Sequence, residues 1–459
     1  MNRQAHHIPR AAWLALLAIL AIPAAAAPGT PAPDPPVGQV VPLVACAGEP
    51  GYSFALYLPK AYTADKKWPV VFCFSPVGRG DEPVRLLADS AERYGWILAG
   101  SNDSRNGPFE AILKAQEVLW KEITSRFSVD MRRCYATGFS GGGRAAVYLA
   151  LSHRESFAGV IPCGAIDPER IKMPKSGGPY YVMMVGDQDF NFYEFTRFQK
   201  SFLERGTAHW LQVFDGPHRW PPKGEMDNAA ELLQVRAMTA GDLSRDEAFL
   251  AGALDRQMAR ARELEGRGLM LRAYDAYAQT ATLFAGVPGA EAAQVRAREL
   301  NADAAVVHAR AQVAKFEAYH KKLIGAADGK VLLGNLRELD AMRKAGGEDA
   351  GPATTLMTMS AFQLAQLGAE LLGRSQYPEA AFCFDTAAGL LPANPVVLYN
   401  AACAASRVGR PDDALEYLRR SVDAGFKDGK HMAADPDLAS LRKNKDFQAI
   451  VSSLGGPPK

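Results

Sequence analysis

Residues 134–151 read CYATGFSGGGRAAVYLAL, and the fold turns on how they are understood. An apolar run, Cys134–Thr137, leads into Gly138-Phe139-Ser140-Gly141-Gly142, and a helix-like segment, Arg144–Leu151, follows. The pattern G-x-S-x-G between a strand and a helix describes a sharp turn with a serine at its apex. Glycines flank the serine because side chains there would collide with the neighbouring strand and helix. Such a turn lifts the Ser140 hydroxyl to the carboxyl edge of a sheet, with the Gly141 amide aimed at a developing oxyanion. In a chain with 41 glycines the five-residue motif is only moderately specific, and its context gives it weight.

Working outward, short apolar runs alternate with helix-length segments up to about Gly241. The strand candidates are Ser53–Leu58, Pro69–Phe74, Trp96–Gly100, Cys134–Gly138, Gly159–Cys163, Tyr180–Val185 and Trp210–Phe214. They are rich in Val, Ile, Tyr and Phe and bounded by Gly, Pro or Asp. Phe109–Phe127 and Gly142–Leu151 are of helical length. This alternation predicts an α/β class with a mostly parallel sheet and helices on both faces. A sheet of that kind places its site at the carboxyl ends of its strands.

A serine nucleophile needs a base and an acid, in the chain order Ser, acid, His for this arrangement. Tyr180–Val185 ends in Gly186-Asp187-Gln188-Asp189, so two carboxylates lie just past a strand end, where one can orient an imidazole. Asp187 reads as a cap for the helix starting near Phe190, and Asp189 as the orienting acid. The α/β half holds His153, His209 and His218. His153 lies at the far end of the helix that follows Ser140, and His209 precedes the last strand. His218 follows that strand's carboxyl end in Phe214-Asp215-Gly216-Pro217-His218-Arg219-Trp220-Pro221, which makes it the candidate base. A second oxyanion donor is expected from Ser75-Pro76-Val77-Gly78-Arg79-Gly80. Pro76 has no N–H, leaving Val77 or Gly78, and Val77 is the choice; an ordinary Gly-rich turn is the plain alternative. Trp220 is either a wall of an apolar acyl or aryl pocket or a core residue.

Composition bounds the partners. With 48% hydrophobic and 22% charged residues and a net charge of +2, the chain has no basic surplus to neutralise phosphates, which argues against nucleic acid. Arg3 and Arg10 precede an unbroken apolar run, Ala11–Ile22, which is followed by Pro23 and four alanines. That run is too short to span a bilayer and reads as a signal peptide over residues 1–26, cut after Ala26, with an uncleaved anchor as the alternative. A secreted or periplasmic protein, with no membrane contact after cleavage, is the expectation. Residues 27–44 are assigned to a Pro-rich linker, most plainly over Ala27–Gly38. Six cysteines, with no C-x-x-C and no H-E-x-x-H, indicate no metal site, and no cofactor is implied. Cys73 and Cys134 fall in apolar runs and are expected as small core residues.

After Gly241 strand-like runs vanish and Ala, Leu, Arg and Glu dominate. Leu364, Leu367-Gly368, Leu371, Ala380, Phe384, Ala387 and Pro392 carry the spacing of a tetratricopeptide repeat. A shift of about 34 residues brings Leu398, Ala401, Ala405, Ala414, Leu418 and Phe426 onto the same frame. The expected layout is an α/β domain over 45–241, a helical linker with degenerate repeats over 242–355, and an all-α repeat (TPR-like) domain over 356–455. A degenerate repeat is placed around Ala273–Leu283, and a final helix, Leu438–Val451, is expected to cap the array.

With these residues in hand, the stretch 45–240 resembles the secreted α/β-hydrolase esterases related to polyhydroxybutyrate depolymerases and feruloyl esterases. The matching pieces are Ser53–Pro59 (SFALYLP), Gly138–Gly142, Gly186-x-x-Asp189 and His218-x-Trp220-Pro221. The resemblance implies an α/β-hydrolase fold and Asp189 as the acid. It also implies cleavage of carboxylic esters, small or polymeric, through Ser140, Asp189 and His218 and an acyl-enzyme. One departure stands out: the family's His-Gly after the third strand is Ser75-Pro76 here. A serine peptidase of the same fold, or an inactive hydrolase domain in a protein whose repeats bind a protein or peptide partner, are the alternatives.

Overall fold

The computed structural model describes residues 35–166 and 178–455. The signal-peptide expectation, and the linker up to residue 34, lie outside the described residues. Eight strands form one sheet in the order β1-β2-β4-β3-β5-β6-β7-β8. They are β1 (Val40–Ala45), β2 (Ser53–Tyr57), β3 (Trp68–Phe74), β4 (Ile97–Ser101), β5 (Val129–Phe139), β6 (Phe157–Cys163), β7 (Tyr180–Gly186) and β8 (His209–Phe214). The pairs β1–β2 and β2–β4 are antiparallel, and every pairing from β4 across to β8 is parallel.

The central strands are apolar throughout because both faces of the sheet are covered. Every residue of β3 (WPVVFCF) and of β7 (YYVMMVG) is buried. Alternate side chains sort into two cores. Phe72, Phe74, Ala136, Met183 and Val185 face α2 (Phe109–Arg126), α3 (Gly141–Ser152) and α4 (Phe192–Arg205). Val71, Cys73, Tyr135, Val182 and Met184 face α1 (Asp81–Tyr94) and α5 (Lys223–Ala240). All six cysteines are buried and unpaired.

Strand β1 corrects the sequence reading, which left residues 40–44 in the linker. It is an edge strand, where Pro42 is tolerated; its apolar run VVPLVA is broken by that proline and is only partly buried, so the sequence reading left it with the Pro-rich segment before it. The opposite edge is covered differently. On α7 (Met270–Leu283), the Gln279 side chain accepts a hydrogen bond from the Leu211 N–H and donates one to the Leu211 carbonyl. A helix side chain thereby satisfies the open side of β8.

The remaining chain is helical: α6 (Glu247–Gly266), α7, α8 (Glu291–Asn301), α9 (Ala304–Ile324), α10 (Gly329–Ala345), α11 (Ala350–Gly373), α12 (Tyr377–Leu390), α13 (Pro395–Arg407), α14 (Pro411–Asp423), α15 (Gly429–Ala434) and α16 (Lys445–Ser453). The boundary expected at 355/356 falls inside α11, which runs unbroken because its only proline, Pro352, sits in the first turn where no intrahelical N–H is needed. The single helix expected over Leu438–Val451 is two pieces, a short turn at Pro436–Leu441 and then α16. Gly368 of α11 lies against Phe384 of α12, where an added Cβ would come within 2.9 Å of the ring. Among the described residues no helix is long and apolar enough to cross a membrane.

Candidate active site

Strand β5 runs up the middle of the sheet and ends at Phe139; the next residue, Ser140, has φ 53 and ψ −124, and α3 starts at Gly141. A positive φ in a residue with a Cβ is strained and persists only when its surroundings over-determine it. Here the Ser140 N–H donates to the Cys163 carbonyl at 2.8 Å, and the Gly143 N–H donates to the Ser140 carbonyl at 2.8 Å. The flanking glycines are required by contact. A Cβ on Gly138 would lie 2.1 Å from the Gly142 carbonyl oxygen, and one on Gly142 would lie 2.2 Å from that of Phe74 on β3.

Three side chains meet at this carboxyl edge. His218 Nε2 is 3.0 Å from Ser140 Oγ, and His218 Nδ1 is 2.9 Å from each oxygen of Asp189. Asp189 is fully buried and also accepts the Asn191 N–H at 2.8 Å. A carboxylate only accepts, so Nδ1 carries the proton, and the bare Nε2 is left to accept the serine O–H. The imidazole is held between two rings, Phe139 with centroids 4.6 Å apart and Phe190 at 4.1 Å. Phe190 in turn packs on Phe362 of α11 at 4.7 Å, so the helical half reaches the site.

The other candidates separate from this cluster. His153 closes the far end of α3, stacked on Trp120 at 4.1 Å with Nε2 3.2 Å from Glu117. His209 starts β8, where burial holds its pKa below the usual value. Asp187 does not cap a helix: α4 begins at Phe192, and the Asp187 carboxylate instead accepts the Gly216 N–H at 2.9 Å, tying down the loop that carries His218. Trp220 is half-buried beside Phe139 at 5.5 Å and packs against the core under α1 and α5.

The oxyanion side is less regular. Gly141 is the first residue of α3, so its N–H has no acceptor within the helix. Val77 is 57% exposed, and its N–H is directed at Ser75 Oγ, 3.5 Å away. Val77 also forms an antiparallel bridge with Arg105, and neither contact reaches Ser140. Asn106, which the sequence reading passed over, donates its backbone N–H to the Pro76 carbonyl at 2.8 Å, and its side-chain amide packs directly on Gly141. No spacing rule marks it, because it sits on an irregular loop after β4. A group of possible metal donors, Cys403, Asp435 and Asp437, lies in the helical half, where Tyr399 already donates to Asp435 at 2.6 Å.

No family model matches the chain. Among curated proteins it is similar to a chloroplastic protein of Arabidopsis thaliana, with 32% identity over 90 residues, 19% of this chain and 27% of that protein. The chain therefore spans about a quarter of that relative's length (27%). Among solved structures it is similar to an esterase of Pyrobaculum calidifontis, with 13% identity and a TM-score of 0.37, covering 44% of this chain and 87% of that one. A ferulic acid esterase matches with 19% identity and a TM-score of 0.32, over 43% of this chain and 95% of that one. The fluorophosphonate-binding serine hydrolase FphF of Staphylococcus aureus matches with 13% identity and a TM-score of 0.33, over 40% and 92%. Likenesses of this size carry no activity over to this chain.

Proposed function

We propose that this chain is a serine hydrolase acting on carboxylic esters, with Ser140 as nucleophile, His218 as general base and Asp189 as the acid that orients it. The observation that carries the reading is the unbroken chain of contacts Ser140 Oγ–His218 Nε2 at 3.0 Å and His218 Nδ1–Asp189 at 2.9 Å, built on a strained serine at the head of a helix. As Ser140 Oγ attacks the ester carbonyl, His218 Nε2 takes its proton, and Asp189 stabilises the imidazolium. The oxyanion is held by the Gly141 amide and by a donor from the Ser75–Gly80 loop, Val77 in this proposal. The alcohol leaves with the proton from Nε2. Water then loses a proton to His218, attacks the acyl-enzyme and releases the acid.

The N-terminal 26 residues serve as a cleaved export signal in this reading, which places the mature protein in the periplasm or outside the cell. The hairpins α11–α12 and α13–α14 are proposed as tetratricopeptide-like repeats, supported by the close seat of Gly368 on Phe384.

A silent site in an interaction protein is the second reading, and it draws on the Val77 amide, which is directed at Ser75 Oγ at 3.5 Å. A fluorophosphonate probe separates the two. Labelling of the wild type that is lost in Ser140→Ala, together with turnover of aryl esters above that of peptide anilides, is the expected result. A folded wild type that resists the probe would sink the hydrolase reading.

A further inference from the structure

Helix α11 brings one open aromatic ring to the proposed triad. Its inner side is fixed, because Leu356 and Met359 are buried with Tyr193 of α4 and Phe316 of α9 in one cluster. The side that carries Phe362 differs in kind. One turn away in either direction stand Thr358 and Gln366, neither of them buried, and the Phe362 side chain is itself 38% exposed. A single exposed apolar side chain needs no explanation by its exposure alone. The position of this one does. Its ring meets Phe190 at 4.7 Å, and Phe190 meets the His218 imidazole at 4.1 Å, so Phe362 stands one ring away from the proposed base.

The chemistry of the imidazole decides which half of an ester lies there. His218 Nε2 takes the Ser140 proton and returns it to the leaving oxygen, which must therefore come within hydrogen-bond reach of Nε2. The carbonyl oxygen points instead to the Gly141 amide, and the acyl group stays bonded to Ser140. The alcohol half thus lies on the imidazole side, next to the rings that flank His218. Those are Phe139, at 4.6 Å, and Phe190, both half-buried. Phe362 continues this apolar surface toward solvent.

We infer that Phe362 is a specificity-determining residue, whose open ring receives an aromatic ring carried on the alcohol half of the ester. Aromatic pairs settle with centroids ~4.5–7 Å apart, so a substrate ring can pack on the exposed part of Phe362 as Phe190 packs on its covered part. The helical half then supplies a substrate contact as well as packing. The inference rests on the esterase reading and names the class of alcohol.

The test uses the full chain and three esters: methyl acetate, benzyl acetate and methyl phenylacetate. The last two are isomers with the ring on opposite sides of the ester, and all three release simple alkyl alcohols, so intrinsic reactivity differs little. Wild type is expected to prefer benzyl acetate over methyl acetate in kcat/KM. Phe362→Leu keeps an apolar side chain of similar bulk without the ring, and is expected to cut that preference about fivefold. Phe362→Tyr keeps the ring and should retain the preference. The ratio of methyl phenylacetate to methyl acetate should hold in both variants. An equal loss on all three esters would make Phe362 a strut for Phe190 and His218, and would overturn the assignment. A loss confined to methyl phenylacetate, or no benzyl preference in wild type, would overturn it too. Absence of turnover of every ester, together with absence of probe labelling, would instead strike the underlying esterase reading.

Discussion

A Cβ added at Gly141 would fall 1.7 Å from Asn106 Oδ1, so this glycine is required by a neighbouring side chain rather than by backbone. Gly141→Ala must push the Asn106 amide away from the mouth of the site, and we expect ester turnover to fall by about tenfold or more, in the range set by loss of oxyanion alignment. Because the obstacle is a side chain, Asn106→Ala in the same molecule should return part of the loss, giving a coupling that two independent sites would not show. Simple addition of the two effects would refute the contact. His320 supports a prediction on stability. Its folded pKa, about 4, lies below the unfolded value of about 6.5, so the unfolded chain takes up the proton first as pH falls. This contribution is whole above pH ~6.5 and is lost as the pH drops through that value toward 4, amounting to about 2 kcal/mol by pH 5. Urea unfolding at pH 7 and pH 5 should show wild type losing more than His320→Leu does; equal losses would count against it.

At the scale of elements, the loop between β8 and α5 carries His218, and the helical half holds it in place. Asp215 in that loop accepts from Arg267 at 2.6 Å and from Arg272 at 2.9 Å, and Arg272 also donates to the Val213 carbonyl. The exposed ion pair with Arg267 is worth little, whereas Arg272 is mostly buried and serves several acceptors at once. Arg272→Ala should cost about 1 kcal/mol, a Tm lower by about 2–4 °C, and should lower kcat several-fold with little change in KM. An unchanged kcat would show that the loop holds itself. None of these arginines was legible as a site support, since their partners lie more than fifty residues away in the chain. The parallel strands were legible because burial on both faces leaves an uninterrupted apolar run, as in Tyr180–Val185. Strand β1 was not, since Pro42 interrupts its apolar run VVPLVA and a proline within a run argues against a strand unless it lies at an edge. Ser140, Asp189 and His218 could be picked from the sequence because each follows a strand end. Phe190, Phe362 and Asn106 could not, because their roles arise from packing between elements distant in the chain.

At the scale of the whole molecule, the division into an α/β domain and a helical annex fails as a description of the core. The described residues from Val37 to Gly455 fall in one compact unit. The buried cluster under α1 and α5 runs without a break from Val182 and Leu232 into Leu250, Ala253, Leu283, Phe284 and Val287 of the helical half. A second cluster joins Tyr193 of α4 to Phe316, Leu339 and Leu356 of α9, α10 and α11. Each such side chain contributes about 1.5–3 kcal/mol by being buried, so uncovering several of them removes as much as a whole domain's net stability of about 5–15 kcal/mol. A fragment ending at Gly241 should therefore fail to fold, despite containing all three residues of the proposed triad. In the intact chain, heating should abolish probe labelling of Ser140 and the helical circular dichroism signal of α6–α11 in the same transition, because the same side chains support both. Two transitions, with labelling surviving after most helix has melted or the reverse, would mean that the shared core is not what couples the halves. The aromatic contact of Phe362 with Phe190 would then be a surface touch between bodies that stand on their own.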